Sequence, residues 1–237
     1  SISDQDPFEL SLNIKTLYPE KPIIILAPDS LEFYNRIKNE DLSGVDYVFS
    51  WLGSTNIFLP IINLIEDRLN VEEDSKYEGV QSILMVENSI RMSSIHLRHL
   101  YKIILEQSRA YMTEGLNEHQ KMMQMKGRPK ILLVNNYKDA RSLFEKHKSQ
   151  LLGVIADVDY IPDDTDGKGI IEDFFMQIKE YDPAIPILIQ SADAANEKYT
   201  EEYGNGFLYN NSRSYTLELD ALLKKYFYFG DFIFTDP

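Results

Sequence analysis

Acidic, amide and hydroxyl side chains follow three of the short apolar runs in this sequence. Glu87 and Asn88 follow the first of these runs, Asp157 and Asp159 follow the second, and Ser191 follows the third. A group of acids with a hydroxyl and no histidine suits a hard divalent cation, Mg²⁺ above all. A carboxylate nucleophile beside Mg²⁺ is the chemistry of aspartyl-phosphate formation, in which the metal neutralises the phosphoryl oxygens.

Seven short, nearly unbroken apolar runs position these residues, and buried parallel strands have this kind of sequence. Helical patterns separate nearly all of the runs. The alternation of strand and helix predicts an α/β fold with a doubly wound parallel sheet. The predicted strands are 22–27, 47–49, 82–86, 130–134, 151–156, 185–189 and 206–209, and the predicted helices include 58–69, 97–125, 137–148, 170–181 and 217–227.

The last five predicted strands make one complete five-stranded unit of the flavodoxin-like type. If their order is 2-1-3-4-5, the first and third strands are neighbours. Glu87, Asn88 and Asp157 then meet at the carboxyl edge of the sheet, with Ser191 beside them. This edge is where open α/β sheets bind their ligands.

A polar, charged stretch at 72–79, which ends in glycine, has the composition of a linker. It divides the chain into residues 1–79 and residues 80–237. The first part holds two predicted strands and about three helices. That is half of a doubly wound unit and too little to close a sheet of its own.

The composition excludes several classes of protein. The 237 residues carry 24 Lys and Arg against 38 Asp and Glu, so the formal net charge is −14 and a nucleic-acid partner is disfavoured. No apolar run reaches the roughly 18 residues that a membrane-spanning helix needs. The absence of cysteine excludes disulfides, thiolate zinc sites and a cysteine nucleophile. It fits a reducing compartment, and we expect a cytoplasmic protein.

Four stretches of the second part resemble the receiver domain of response regulators, in the order that this family has them. SILMVENS resembles the first strand with its acidic pair, and LLGVIADVDYIPDDTDGKGI resembles the third strand and the loop after it. IPILIQSAD and GFLYNNS resemble the fourth and fifth strands. The resemblance covers residues 80 to about 228 and implies a signalling function.

Carried over by position, the resemblance implies that Asp157 accepts a phosphoryl group and that Glu87 belongs to the acidic pair that holds Mg²⁺. Ser191 would be the hydroxyl that reads the phosphoryl group, and Phe207 the aromatic residue that moves with it. The implied metal ligands are Glu87, Asn88, Asp157 and Asp159.

Two positions depart from the family pattern. Asn88, a neutral and weaker ligand, stands where the second acid of the pair is expected, and Asn210 stands where a lysine is expected after the fifth strand. Both changes reduce the electrostatic stabilisation of a bound phosphoryl group. We therefore expect weak Mg²⁺ binding and weak or lost phospho-acceptance at Asp157.

The first part resembles the C-terminal half of another receiver unit, whose first three strands would lie upstream. A narrower resemblance rests on this tandem arrangement, on an over-long first helix, and on MKGRPKILLVNN, SQLLGVIADVDY and YFYFGDFIFTDP. These features are similar to the N-terminal region of phosphoenolpyruvate synthase or pyruvate phosphate dikinase-like proteins. That resemblance implies that a nucleotide-binding phosphotransferase domain follows Pro237.

The over-long helix between Asn88 and Pro129 carries apolar residues along its distal half, among them Met112 and Leu116. A stripe of this length is unstable in water unless something packs on it. We expect the first unit or a second copy of the chain to cover it.

Two other functions remain open from the residues. Asp157 and Asp159 form a DxD pair that also suits a haloacid dehalogenase-like phosphatase, with Ser191 and the late Gly230-Asp231 and Asp236 as its further motifs. That enzyme needs an additional lysine and leaves two of the strands without a role. A structural spacer before a nucleotide-binding enzyme domain is the other alternative.

We expect a regulatory module that is not itself an enzyme. Its partners would be another protein or the adjacent domains of the same polypeptide, with a homodimer as a further candidate and with neither nucleic acid nor a membrane as a partner.

Overall fold

A computed structural model describes residues 5–110, 127–159 and 169–227. The chain forms two compact units. The smaller unit contains the residues up to Ile61 together with Ser89–Arg98, and the larger unit contains Ile62–Asn88 together with the residues from His99 onward.

The smaller unit contains a two-stranded parallel sheet. Its elements are α1 (Pro7–Leu17), β1 (Ile24–Pro28), α2 (Leu31–Ile37) and β2 (Tyr47–Trp51), followed by a 3₁₀ turn at Thr55–Ile57. The two strands pair in parallel along their whole length. The helices begin at N-cap side chains, because Asp6 and Ser30 accept hydrogen bonds from backbone N–H groups of the first turns of α1 and α2.

The larger unit is built on a five-stranded parallel sheet. Its strands are β3 (Ser82–Val86), β4 (Lys130–Val134), β5 (Leu151–Asp157), β6 (Ile187–Ser191) and β7 (Gly206–Tyr209), in the spatial order β4-β3-β5-β6-β7. This is the 2-1-3-4-5 order of a doubly wound, flavodoxin-like sheet. The predicted fold class and strand order are confirmed.

Six further helices connect these strands or precede them. They are α3 (Phe58–Glu78), α4 (Ile90–Ala110), α5 (Tyr137–His147), α6 (Ile170–Tyr181), α7 (Lys198–Glu202) and α8 (Tyr215–Tyr226), with 3₁₀ turns at Lys148–Gln150 and Ala194–Glu197. The described part of α4 ends at Ala110. Met112 and Leu116, which the sequence analysis expects to be covered, lie outside the described residues.

The core of the larger unit lies between the sheet and its helices. Every residue of β3 and of β6 is buried. Phe144 of α5 and Phe174 of α6 meet edge to face, with ring centroids 6.1 Å apart, and both are fully buried. Each such side chain contributes roughly 1.5–3 kcal/mol of hydrophobic free energy relative to exposure, so these rings hold the helices on the sheet.

The stretch predicted as a linker, 72–79, is helical up to Glu78 and forms the last turns of α3. Gly79 follows with φ +65°, a conformation that ends helices and favours glycine. On the inner face of these turns Ser75 is buried, and its Oγ donates to the carbonyl oxygen of Val80 at 2.9 Å. The charged residues here lie mostly on the outer face of a packed helix.

A buried ionic cluster joins three elements of the larger unit. The carboxylate of Asp67 in α3 forms an ion pair with Arg128 at 2.7 Å, and it accepts hydrogen bonds from the Tyr101 hydroxyl of α4 at 2.6 Å and from the Ile131 N–H of β4 at 2.9 Å. Lys130, also buried, contacts Asp74 at 2.7 Å. The members of this cluster are far apart along the chain, so no local pattern in the sequence predicts it.

Within the described ranges, none of the helices combines the length and the apolar character needed to cross a bilayer.

Candidate functional site

The candidate site lies at the carboxyl edge of the five-stranded sheet. β5 ends at Asp157, and Glu87 follows β3 directly. Val86 is in register with Ala156, and Asp157 is in register with Gln190 near the end of β6. Neighbouring parallel strands thus bring three polar side chains, Glu87, Asp157 and Gln190, to one row across the sheet.

The two acids of this row form a buried carboxyl pair. Glu87 is 2% exposed and Asp157 is 4% exposed. Burial, together with the charge of Glu87 and a hydrogen bond between the two side chains, raises the pKa of Asp157 to about 8. The N–H of Asp159 donates to Oδ1 of Asp157 at 3.1 Å and opposes this shift only in part. Burial of the two acids together thus disfavours ionisation of both at once.

Gln190 links this pair to α8. Its Nε2 donates to Oε2 of Glu87 at 2.8 Å, and its Oε1 accepts from the hydroxyl of Tyr215 at 3.2 Å. Gln190 is fully buried and Tyr215 nearly so. Burial, with the charges of Glu87 and Asp157, raises the pKa of Tyr215, so its hydroxyl stays protonated.

Tyr137 supports Asp157 from the start of α5. Its hydroxyl donates to the main-chain oxygen of Asp157 at 2.7 Å. Burial first, and then the charge of Asp157, raises the pKa of Tyr137 well above its ordinary value. The hydroxyl is therefore a permanent donor that holds the end of β5.

Sequence reasoning missed Gln190, Tyr215 and Tyr137. Only Gln190 left a signal in the sequence, since it is a polar residue that directly follows the apolar run 185–189, and β6 continues through it. The two tyrosines lie at the starts of helices, and only the folded topology brings their hydroxyls to the strand ends.

Ser191 and Asp159 organise the loop after β6. The Ser191 hydroxyl is hydrogen-bonded to Oδ1 of Asp159, and the N–H of Ala192 donates to Oδ2 of Asp159 at 2.6 Å. Nδ2 of Asn196 donates to Oγ of Ser191 at 3.1 Å, and the N–H of Asp193 donates to it at 2.9 Å. The hydroxyl predicted to read a phosphoryl group is thus engaged with Asp159, which follows β5, and with residues of the loop after β6.

The remaining predicted site residues lie around this row. The side chain of Asn88 is exposed. Phe207 of β7 is half-buried and packs against the core of the larger unit. Asn210 follows β7, and its N–H donates to the carbonyl oxygen of Ser191 at 2.8 Å. The late acids of the phosphatase alternative, Asp231 and Asp236, lie outside the described residues.

The oxygen donors of this edge are of the kind that Mg²⁺ prefers, since two carboxyl groups lie side by side and an amide follows one of them. Among residues 5–110, 127–159 and 169–227, no three or more histidine or acidic side chains form a cluster that could hold a metal ion. The oxygen donors are of a type that suits a hard cation, but few acidic groups of the described residues gather here, and weak Mg²⁺ binding stays a prediction.

No family model matches the chain, and no curated protein matches its sequence. Among solved structures, it is similar to a response regulator receiver domain protein from Clostridium thermocellum, at 14% sequence identity and a TM-score of 0.42. The similarity covers 63% of this chain and 95% of that one. The α/β fold itself is established by the strand order of the five-stranded sheet.

Proposed function

We propose that this chain is a receiver-like regulatory module in which phospho-acceptance at Asp157 is weak or lost. One observation carries the proposal: Glu87 and Asp157 form a buried acid pair at the switch point of a sheet with the order 2-1-3-4-5. An acid at the end of the central strand, beside an acid after the first strand, is the arrangement that a receiver needs for aspartyl-phosphate chemistry.

Three features of the site support degeneracy. Asp157 is almost completely buried, and burial together with the charge of Glu87 raises its pKa and disfavours the ionised form that acts as the nucleophile. Asn88 supplies no negative charge for a cation, and Asn210 supplies no positive charge for a phosphoryl group. When Mg²⁺ is bound at such a site, it favours the charged carboxylate and neutralises the phosphoryl oxygens. This chain offers Mg²⁺ fewer charges than an active receiver does.

A module with a weak site acts mainly through its contacts with other proteins or domains. The smaller unit, with its order of helix, strand, helix and strand, follows the pattern expected for the C-terminal half of a second receiver unit. In the narrower form of the proposal, the pair of units regulates a nucleotide-binding phosphotransferase domain of the same polypeptide. Its partners are then adjacent domains rather than a diffusible substrate.

The proposal is tested by incubating the chain with Mg²⁺ and acetyl phosphate, followed by intact mass measurement. We expect at most a trace of phosphoryl adduct, and we expect that trace to disappear in Asp157→Asn. A stoichiometric, stable adduct on Asp157 would contradict degeneracy. Turnover of p-nitrophenyl phosphate that is abolished by the same substitution would instead indicate the DxD phosphatase.

A further inference from the structure

Gln190 occupies the centre of a buried chain of hydrogen bonds that runs from the acid pair to a helix. The chain passes from Oε2 of Glu87 to Nε2 of Gln190 at 2.8 Å, and from Oε1 of Gln190 to the hydroxyl of Tyr215 at 3.2 Å. All three side chains are less than a tenth exposed. Bulk water therefore does not substitute for these bonds.

The direction of this chain is set by chemistry. The amide nitrogen of Gln190 can only donate, and it faces Oε2 of Glu87, which accepts from it. The carbonyl oxygen of Gln190 then faces Tyr215, whose hydroxyl donates. A group that takes over Oε2 of Glu87, such as a cation, removes the reason for this orientation. Rotation of the amide would present NH₂ to the Tyr215 hydroxyl and reverse the polarity of the chain.

Tyr215 is the first residue of α8, which makes that helix start sensitive to the hydroxyl bond. Ser214, the N-cap residue, forms no side-chain capping bond. Thr216 is held from the side, because its Oγ1 lies 2.8 Å from Nδ1 of His99 in α4. The rings of His99 and Tyr215 also lie in contact distance, with centroids 6.0 Å apart. The first turn of α8 is thus anchored by side chains rather than by a cap.

We infer that Gln190 is a positioning residue that couples the binding state of Glu87 to the first turn of α8 through Tyr215. The output of the site then leaves through β6 and α8. The hydroxyl of Ser191 is engaged with Asp159, which lies after β5, and this leaves Gln190 as the polar side chain of β6 that faces the acid pair. The inference rests on the proposed function only for its biological purpose.

A two-by-two set of variants tests the coupling without any phosphoryl donor, so its failure is distinct from failure of the proposed function. Glu87→Gln removes the carboxylate, and Tyr215→Phe removes the hydroxyl at the far end of the chain. The measured quantity is amide hydrogen exchange at residues 216–219. We expect Glu87→Gln to change these rates by about fivefold or more, the usual lower end of coupling between sites.

In the Tyr215→Phe background, Glu87→Gln should change the same rates by less than about twofold. Tyr209→Phe, which removes a partly exposed hydroxyl of β7, is the matched control and should leave the effect of Glu87→Gln intact. Gln190→Met keeps the length of the side chain and removes both hydrogen bonds. Like Tyr215→Phe, it should reduce the effect of Glu87→Gln on the exchange rates. If Gln190→Met does not fold, the two-by-two set of Glu87→Gln and Tyr215→Phe still tests the coupling.

A spectroscopic signature reports the first contact of the chain, between Glu87 and Gln190. The side-chain NH₂ resonances of Gln190 should shift on Glu87→Gln, because their acceptor changes from a carboxylate to an amide. Equal changes in exchange with and without the Tyr215 hydroxyl, or no change in either background, would overturn the inference.

Discussion

At the scale of single residues, the site is governed by two carboxyl groups in one buried place. Burial and the charge of Glu87 both raise the pKa of Asp157, so the protonation of the two acids is linked. The sequence could predict that these acids meet, since both follow strands that are neighbours in the 2-1-3-4-5 order. It could not predict their burial, or the amide of Gln190 that accompanies them, because both depend on how the helices close over the sheet.

The raised pKa of Asp157 predicts a pH dependence of stability. Its ordinary value is 3.8, and its value in the folded chain is about 8. The folded state therefore holds the proton more tightly than the unfolded chain does. The stabilisation from this group is complete below about pH 4 and is lost as the pH rises through about 8.

Asp157→Asn, which is neutral at every pH, should remove this loss. As the pH rises from 5 to 8, the unfolding free energy of the variant should increase by at least about 1 kcal/mol relative to that of the wild type. This lower limit is smaller than the roughly 1.4 kcal/mol that a shift of one pKa unit represents. Urea unfolding at both pH values measures it. Glu180→Gln, at an exposed position, is the control. If the unfolding free energies of Asp157→Asn and the wild type change in parallel with pH, the pKa of Asp157 is not raised in the folded chain.

The second prediction at residue scale concerns Mg²⁺. Asn88 follows the buried Glu87 and is itself exposed, so an aspartate there could reach a cation without being desolvated. Asn88→Asp should tighten Mg²⁺ binding in titration calorimetry, and Asp157→Asn should abolish it. Asn39→Asp adds the same charge at an exposed position of the smaller unit and should change nothing. If neither site substitution alters binding, these residues do not share a metal site.

At the scale of elements, the apolar runs predicted the strands of the larger unit closely, because most of their residues are buried and each run carries its own signal. Helix ends were harder. The charged stretch at the end of α3 has the composition of a linker, yet Val71 and Ser75 mark a buried face that continues through it. Helical periodicity in a charge-rich stretch rests on few apolar residues, and here the packing decides the structure.

The Asp67 cluster predicts that α3 belongs energetically to the larger unit. Removal of one partner from a buried ion pair leaves an uncompensated charge and costs about 3–5 kcal/mol. Asp67→Asn should therefore lower the unfolding free energy by about that amount, since Arg128 loses its carboxylate. Chemical denaturation measures the loss.

The exposed pair of Lys146 and Glu72 provides the control for Asp67. Glu72→Gln should cost less than about 1 kcal/mol, as exposed ion pairs usually do. Equal effects of Asp67→Asn and Glu72→Gln would show that the buried cluster adds no stability of its own.

At the scale of the whole molecule, the chain combines two α/β units with a strongly acidic charge of −14. An acidic surface disfavours polyanionic partners and is compatible with contacts to proteins. The proposed regulatory role depends on whether the larger unit has a receiver-like site. In the proposal, Asn88 and Asn210 account for the weak phospho-acceptance of that site. Replacing them with the acid and the lysine of the family pattern should restore the chemistry.

The most direct measurement is intact mass of the double variant Asn88→Asp/Asn210→Lys after incubation with Mg²⁺ and acetyl phosphate. The restored acid supplies charge for the metal, and the restored lysine supplies charge for the phosphoryl group. We predict a phosphoryl adduct well above that of the wild type, and its loss when Asp157→Asn is added. A double variant that folds, as circular dichroism would show, but gains no adduct at Asp157 would contradict the receiver-like account.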